Sequence, residues 1–458
     1  MQDLTTGSIT RHLLKTAGFM LVTMVFQTLY FLVDLYWVGR LGKEAVAAVG
    51  IAGNLTFIVL AVSQMLGVGT TTLVSHATGR KDHLQALLVF NQAQSLSILV
   101  GAIFLAVTMV LRGPYASTLG ADGQTARQAE EYLTWFIPAM ALQFVMVAMG
   151  AALRGTGNFK PGMVVATATV ILNMVLAPFL IFGWGTGVPL GVAGAAISSL
   201  VAVAVGVVWL GAYFIRPSAY LHFIPSQWTP RIPLWSQMLK VGLPAGAEFG
   251  LIALYLFVVY SISRPFGAAA QAGFGIGLRL VQAGFMPVVA LGFSVAPVAG
   301  QNFGARLPGR VKRTYVTAAS MAAGVMALWG LACYLASAPM VRLFSADIEV
   351  VAVGEEYLRI IAWSFVGSGL IFVSSSMFQA LGNTVPPLVA SFGRMLVTAI
   401  PALLLARMPG FELKWIWYLS AGTVVFQLMA VLLLLQREFR LRLGPSGMLG
   451  AASATAQT

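Results

Sequence analysis

KTAGFMLVTMVFQTLYFLVDLYWVGR, residues 15–40, is the stretch that decides the fold of this chain. Twenty-four residues lie between Lys15 and Arg40, and a helix of that length is enough to cross the roughly 30 Å apolar core of a bilayer. Asp34 is the only charged residue among them. An ionised carboxylate that faces lipid costs at least about 2.5 kcal/mol, so we expect Asp34 to face a cavity, a partner group or a bound ion. The alternative is an interfacial position, since Asp34 comes only six residues before Arg40.

The composition places the whole chain in the membrane. It is 59% hydrophobic and 9% charged, whereas soluble proteins are about 25% charged, which predicts an all-α integral membrane protein. We attribute the net charge of +13 to cationic cytoplasmic loops, and expect no nucleic-acid partner. The single cysteine, Cys333, excludes an internal disulfide, and no metal-ligand spacing occurs, so neither a metal nor a cofactor is expected.

Charged residues divide the sequence into apolar runs long enough to be transmembrane helices. Between Pro161 and Ile215 no charge occurs, and the turn at 183–191, with Pro189, splits this run into two crossings. Twelve crossings result. We place them at residues 14–38, 46–76, 84–111, 131–153, 162–183, 190–214, 238–262, 271–302, 314–338, 357–380, 386–407 and 414–435.

The distribution of cations predicts the orientation of these crossings. Sixteen Lys and Arg residues fall on the side of the N-terminus and nine on the opposite side. Since cytoplasmic loops are enriched in Lys and Arg, we expect both termini in the cytoplasm and a multi-pass protein of the inner (plasma) membrane.

The sequence repeats itself at an offset of 225 residues. Glu130-Glu131-Tyr132-Leu133 recurs as Glu355-Glu356-Tyr357-Leu358, and single residues such as Tyr30 and Tyr255 also match. Each half holds six crossings, an even number, so the halves share one membrane orientation, as in the parallel repeats of secondary transporters. The predicted domains are an N-lobe at 1–215, a cytoplasmic linker at 216–240, a C-lobe at 241–440 and a cytoplasmic tail at 441–458.

Several motifs resemble those of the multidrug and toxic compound extrusion (MATE) family, and together they cover nearly the whole chain. The segment MPVVALGFSVAPVAGQNFGA at 286–305 resembles the signature that ends the family's eighth helix, and VGTTTLVSHATG at 68–79 is similar to its second helix. The segment DLYWVGRLGKEAVAAVG at 34–50 resembles the first helix and loop. Further matches are LRGTGN at 153–158 and GVAGAA at 191–196.

The resemblance implies a twelve-helix, two-lobed antiporter, not an enzyme, that exports amphiphilic, cationic drugs in exchange for H⁺ or Na⁺. It implies an ion site made by Asp34, Tyr132, Asn173 and Ser199 in the N-lobe, while Glu248 is the acid of the seventh helix. The sequence departs from the family at Ala177, where an aspartate is common, and the tenth helix has no acid. These departures look closer to the DinF-like than to the NorM-like branch, and they favour H⁺ over Na⁺.

Other charged and kinked positions leave alternatives open. Glu248 binds a substrate cation or forms a structural ion pair with Arg279 or Arg394, the remaining charges inside crossings. Pro138 and Pro287 are hinge candidates, although kinked packing without motion is the default. We expect a monomer that is embedded in the lipid bilayer and has small amphiphilic molecules as substrates.

Three other functions compete with antiport. A flippase for a lipid-linked precursor needs a cluster of cavity cations, and only Arg279 and Arg394 are available. An intramembrane enzyme needs a nucleophile with a base or paired metal ligands, and no such motif occurs. A channel is disfavoured by the resemblance alone.

Overall fold

The computed structural model describes residues 1–120, 122–185, 187–216 and 219–444, and nearly all of them are helical. No strand occurs within these ranges. The reason is that a helix satisfies every backbone N–H and C=O within one segment, which a long apolar run needs in lipid. The predicted all-α fold is confirmed.

Six long helices build the first half of the chain, and each is long and apolar enough to cross a bilayer. Aspartates cap two of them: Asp82 accepts a hydrogen bond from the backbone N–H of Gln85 at 3.0 Å, and Asp122 accepts one from Thr125 at 2.7 Å. The helices are α1 (Ile9–Gly39), α2 (Lys43–Gly79), α3 (His83–Leu119), α4 (Gly123–Gly155), α5 (Phe159–Phe182) and α6 (Gly191–Ile215).

Eight helices build the described part of the second half, where one 3₁₀ turn separates two crossings and another interrupts a single crossing. The helical stretch Ile232–Gly304 has 73 residues, far more than one crossing needs, and the 3₁₀ turn Arg264–Phe266 divides it. In contrast, Ile348–Leu381 forms one crossing from two helices joined by the 3₁₀ turn Ala362–Ser364. The helices are α7 (Ile232–Ser263), α8 (Gly267–Gly304), α9 (Pro308–Leu335), α10 (Ser337–Arg342), α11 (Ile348–Ile361), α12 (Phe365–Leu381), α13 (Val385–Leu405) and α14 (Lys414–Leu443).

The described ranges therefore contain the twelve predicted crossings, with five helix starts predicted five or more residues too late, those of α1, α4, α7, α9 and α11. The tenth crossing begins at Ile348 instead of residue 357, because the Asp347 carboxylate accepts hydrogen bonds from Glu349 and Val350 N–H and caps the helix there. The seventh begins at Ile232 instead of residue 238, inside the segment 216–240 that was predicted as a linker.

Contacts between residues divide the chain into two compact units. The first contains Met1–Asp3 and Gly18–Gly246, and the second contains Leu4–Ala17 and the chain from Ala247 onward. These bounds differ from the predicted ones at 215 and 241. The first nine residues of α1 therefore belong to the second unit, and the first half of α7 belongs to the first unit.

The segment before α7 is bound to α3 within the first unit. The Asn91 side-chain oxygen accepts hydrogen bonds from the Ile224 backbone N–H and the Trp228 indole N–H, both at 2.9 Å. The Gln92 side-chain oxygen accepts one from the Arg231 N–H at 2.8 Å. Two buried amides thus hold the predicted linker, of which Pro217 and Ser218 lie outside the described residues, as do positions 445–458 of the predicted tail.

Backbone conformation repeats at the same offset as the sequence. Gly157 and Gly382 both have φ 75°, in the left-handed region that follows the ends of α4 and α12. Lys81 and Arg306 also match, with φ of 60° and 57°, a conformation that is uncommon for residues with a side chain. The repeat read from the sequence therefore extends to unusual turns.

Candidate functional site

Asp34 lies in α1 within the first unit and is buried, with 9% of its surface exposed. Its Oδ1 atom is inaccessible and has no hydrogen-bond partner among the described residues. None of the ion pairs in the described ranges involves Asp34. An acceptor oxygen without a donor is rare in a protein interior, because desolvation without a hydrogen bond is costly. The interfacial alternative does not fit this burial.

A group of hydrogen-bonded polar side chains from α1, α5 and α6 includes Tyr30, one turn before Asp34. The Tyr30 hydroxyl, one turn before Asp34, makes a 3.0 Å hydrogen bond with the Ser199 hydroxyl of α6. The Asn173 amide of α5 donates to Ser199 at 3.0 Å and to Ser198 at 3.3 Å. We call the residues Tyr30, Asp34, Tyr132, Asn173, Ser198 and Ser199 the N-lobe pocket.

Tyr132 closes this set from α4. It is buried, with 3% of its surface exposed, and lies within electrostatic range of both Asp34 and Tyr30. The structure thus brings together Asp34, Tyr132, Asn173 and Ser199, which the resemblance had predicted as one site.

Sequence reasoning missed Tyr30 and Ser198 as members of this pocket. The sequence does indicate Tyr30 as a pocket residue, because it comes four residues before Asp34 on one helix face and recurs as Tyr255 at the repeat offset. The sequence does not indicate Ser198 beyond its position next to Ser199.

Two acceptor oxygens in the N-lobe pocket are open to a ligand. Besides Asp34 Oδ1, the side-chain oxygen of Asn173 is buried without a partner among the described residues. A proton on the carboxylate or a small cation near these oxygens satisfies acceptors of this kind, and the hydroxyls of Tyr30 and Ser199 supply further oxygen. The pocket is therefore chemically suited to exchange a proton or a cation.

Glu248 lies in α7 within the second unit, and serines bind it. Its Oε1 atom accepts hydrogen bonds from Ser375 at 3.2 Å and from Ser391 at 2.9 Å. No ion pair in the described residues joins it to Arg279 or Arg394, so the predicted direct pairing is not formed. Arg279 is exposed on α8.

Arg394 lies in α13 and reaches Glu248 only through other side chains. Its Nη1 donates to the Gln427 side-chain oxygen at 3.1 Å, and Gln427 Nε2 donates to Ser391 Oγ at 2.9 Å. A chain of hydrogen bonds thus runs from the cation to the acid. The three residues predicted as a C-lobe polar site are brought together in part: Glu248 and Arg394 share one network, from which Arg279 is absent.

The two hinge candidates lie inside long helices. Pro138 is within α4 and Pro287 within α8, and both helices continue past the proline. Each proline removes one backbone N–H from its helix, which permits a bend at that level.

Comparison with protein families gives a match in each half of the chain. The MatE family model matches residues 20–179 and again 244–404. The two matches begin and end at nearly the repeat offset, as expected for a duplicated six-helix unit.

Named relatives are similar along most of their length. An FAD transporter of Shewanella oneidensis is 26% identical over 379 residues, 81% of this chain and 82% of the relative. The multidrug export protein MepA of Staphylococcus haemolyticus is 26% identical over 367 residues, 80% of each chain. The probable multidrug resistance protein YoeA of Bacillus subtilis is 24% identical over 403 residues, 87% of each.

Solved structures share the fold. A MATE transporter in the bent conformation superposes with a TM-score of 0.90 at 22% identity and covers 97% of this chain and 98% of the other. An outward-facing multidrug resistance MATE transporter of the MOP superfamily gives 0.88 at 22% identity, with 96% and 98% covered. The family model accounts for both halves and the solved structures for the fold, so this chain belongs to the MATE family of multi-pass membrane transporters.

Proposed function

We propose that the protein is a secondary antiporter that exports amphiphilic, cationic drugs or toxic compounds in exchange for H⁺, with Asp34 as the exchange site. The observation that carries the proposal is the buried Oδ1 of Asp34, which has no hydrogen-bond partner among the described residues and lies one turn after Tyr30, the residue that bonds Ser199. Such a carboxylate binds and releases a proton as its access to water changes, and each protonation state stabilises one conformation of the transporter.

Proton exchange is favoured over sodium exchange by the ligands that the pocket offers. A hard cation stripped of water prefers several oxygen ligands, whereas a proton needs only one carboxylate. Ala177, on α5 one turn after Asn173, brings no oxygen where an aspartate is common in the family. Asp34 is therefore the single acid of the pocket.

The proposed orientation, oligomeric state and substrate class rest on the sequence and on the family. The cation asymmetry supports cytoplasmic termini in an inner membrane, and we propose that the protein works as a monomer. The names of the MepA and YoeA relatives support drugs as substrates.

The FAD transporter among the relatives introduces a second candidate substrate, a large anionic nucleotide. Arg394 in the second unit is the observation that favours it, because a guanidinium can bind phosphate in a bidentate manner.

Purified protein in proteoliposomes tests coupling and substrate in one design. A fluorescent lipophilic cation is followed under a pH gradient alone and then under a Na⁺ gradient at fixed pH, with protein-free liposomes as the control. We expect movement under the pH gradient alone. Movement under the Na⁺ gradient alone contradicts proton coupling, and gradient-driven FAD movement without cation movement contradicts the substrate class.

A further inference from the structure

The second unit contains a counterpart of the N-lobe pocket with the same neutral hydrogen bonds. Tyr255, the repeat equivalent of Tyr30, bonds to the Ser420 hydroxyl at 2.7 Å, as Tyr30 bonds to Ser199. Tyr357, equivalent to Tyr132, is buried with 5% of its surface exposed.

A third element of the pocket is also present. Thr398, equivalent to Asn173 at the 225-residue offset, donates from its hydroxyl to Thr423 at 2.9 Å. We call Tyr255, Tyr357, Thr398, Ser420 and Thr423 the C-lobe pocket.

The charge differs between these two pockets. Val259, which is buried with 2% of its surface exposed, occupies the position equivalent to Asp34 on α7, one turn after Tyr255. Arg394 occupies the position equivalent to Thr169, whose hydroxyl donates to a backbone carbonyl within its own helix. The C-lobe pocket has lost an acid and gained a cation.

Arg394 lies close to the C-lobe pocket and is also linked to Glu248. Its guanidinium lies within electrostatic range of Tyr255 and Tyr357. Through Gln427 and Ser391 it is joined by hydrogen bonds to the Glu248 carboxylate. The network therefore joins one cation and one acid that both belong to the chain itself.

We propose that Arg394 is a built-in cation that balances Glu248 and replaces an exchangeable ion in the C-lobe pocket. The guanidinium stays protonated in proteins and is covalently held, so it balances the acid permanently and does not exchange. This inference rests on the proposed function, because it makes Asp34 the sole exchange site and fixes the exchange at one proton per substrate.

Removal of the arginine tests the inference. In Arg394→Thr, which installs the residue found at the equivalent position 169, Glu248 has no balancing charge and becomes able to bind a proton of its own. We expect the number of protons exchanged per substrate to rise from about one to about two, measured from the membrane potential and pH gradient at which net transport by proteoliposomes reverses. Arg279→Thr removes an exposed arginine outside the network and is the matched control, expected to keep the wild-type ratio.

Two further variants keep the test decisive if Arg394→Thr does not fold. Arg394→Lys retains a cation and is expected to keep the wild-type ratio, whereas Arg394→Gln removes the charge but keeps a polar side chain and is expected to raise the ratio. A wild-type ratio in folded Arg394→Thr or Arg394→Gln overturns the inference. Absence of proton coupling in the wild type overturns the proposed function instead, so the two failures are distinguishable.

Discussion

The two pockets of this transporter share their neutral groups and differ in their charges. In each pocket a tyrosine from the first helix of the half bonds to a serine from the last, at 3.0 Å for Tyr30 and 2.7 Å for Tyr255. One turn after this tyrosine, the N-lobe pocket has Asp34, whereas the C-lobe pocket has Val259.

This difference teaches how a duplicated scaffold can become functionally asymmetric. Both pockets contain hydrogen-bonded hydroxyl groups, because each buried polar group needs a partner. In the proposed mechanism a single carboxylate makes one pocket responsive to ions, while the Arg394 and Glu248 network balances the charge of the other. A few substitutions can therefore change the function of one pocket, whereas the packing of each half depends on many residues.

The largest effect is expected from Asp34→Asn. Asparagine keeps the size of a protonated aspartate but cannot release a proton, so the helix should stay packed while coupling disappears. We expect gradient-driven efflux per molecule of membrane-inserted protein to fall on the order of a hundredfold, and substrate binding to change only a few-fold.

Glu248→Gln is the matched control for this experiment, because it removes the acid of the other unit while an amide oxygen can still accept from the serines. We expect a smaller loss of gradient-driven efflux in Glu248→Gln than in Asp34→Asn. Near-normal efflux by Asp34→Asn contradicts the exchange site, and loss of folded protein from the membrane instead indicates a structural role for Asp34.

An intermediate effect is expected from a matched pair, Ser199→Ala and Ser420→Ala. Each removes the serine hydroxyl that bonds the pocket tyrosine, at a cost of about 1 to 3 kcal/mol of stability. Only Ser199 also accepts a hydrogen bond from Asn173, in the pocket that contains Asp34. We therefore expect similar losses of thermal stability in both variants, but a shifted pH dependence of transport in Ser199→Ala alone.

Thermal unfolding in detergent and transport rates at several pH values are the measurements for this pair. An equal shift of the pH profile in both variants contradicts the asymmetry between the pockets. The wild-type profile in both contradicts the participation of Ser199 in ion exchange.

The smallest effect concerns the turns that repeat in both halves. Lys81 and Arg306 adopt left-handed backbone conformations in the turns after α2 and α8, where glycine avoids the steric cost of a side chain. Lys81→Gly and Arg306→Gly should each raise stability by up to about 1 kcal/mol, measured by thermal unfolding. Lys312→Gly, inside helix α9, is the control and should lower it by a similar amount.

Much of this architecture was predictable from the sequence because its cause is local. Apolar runs of sufficient length must be helices in lipid, so the twelve crossings follow from composition and spacing. The repeat is visible as identical residues at one offset, and the motifs indicated the family. Asp34 was found because one charge in an apolar run is costly wherever the helix lies.

The partners of the buried charges were decided by tertiary structure. Sequence reasoning offered the arginines as partners for Glu248, because opposite charges attract, whereas the fold supplies Ser375 and Ser391. The partner of Tyr30 lies 169 positions away in α6, and nothing local indicates the rotation that brings the two hydroxyls together. Helix rotation and depth are set by packing against neighbours.

Tertiary structure also decided which segments belong to each compact unit. Composition placed the boundaries in polar segments at 215 and 241, but residues 4–17 belong to the second unit and α7 belongs to the first as far as Gly246. The polar segment before α7 is bound to α3 by the amides of Asn91 and Gln92, so its polarity serves a tertiary contact. Hydrophobicity determines which segments enter the membrane, and side-chain packing determines which segments belong to one compact unit.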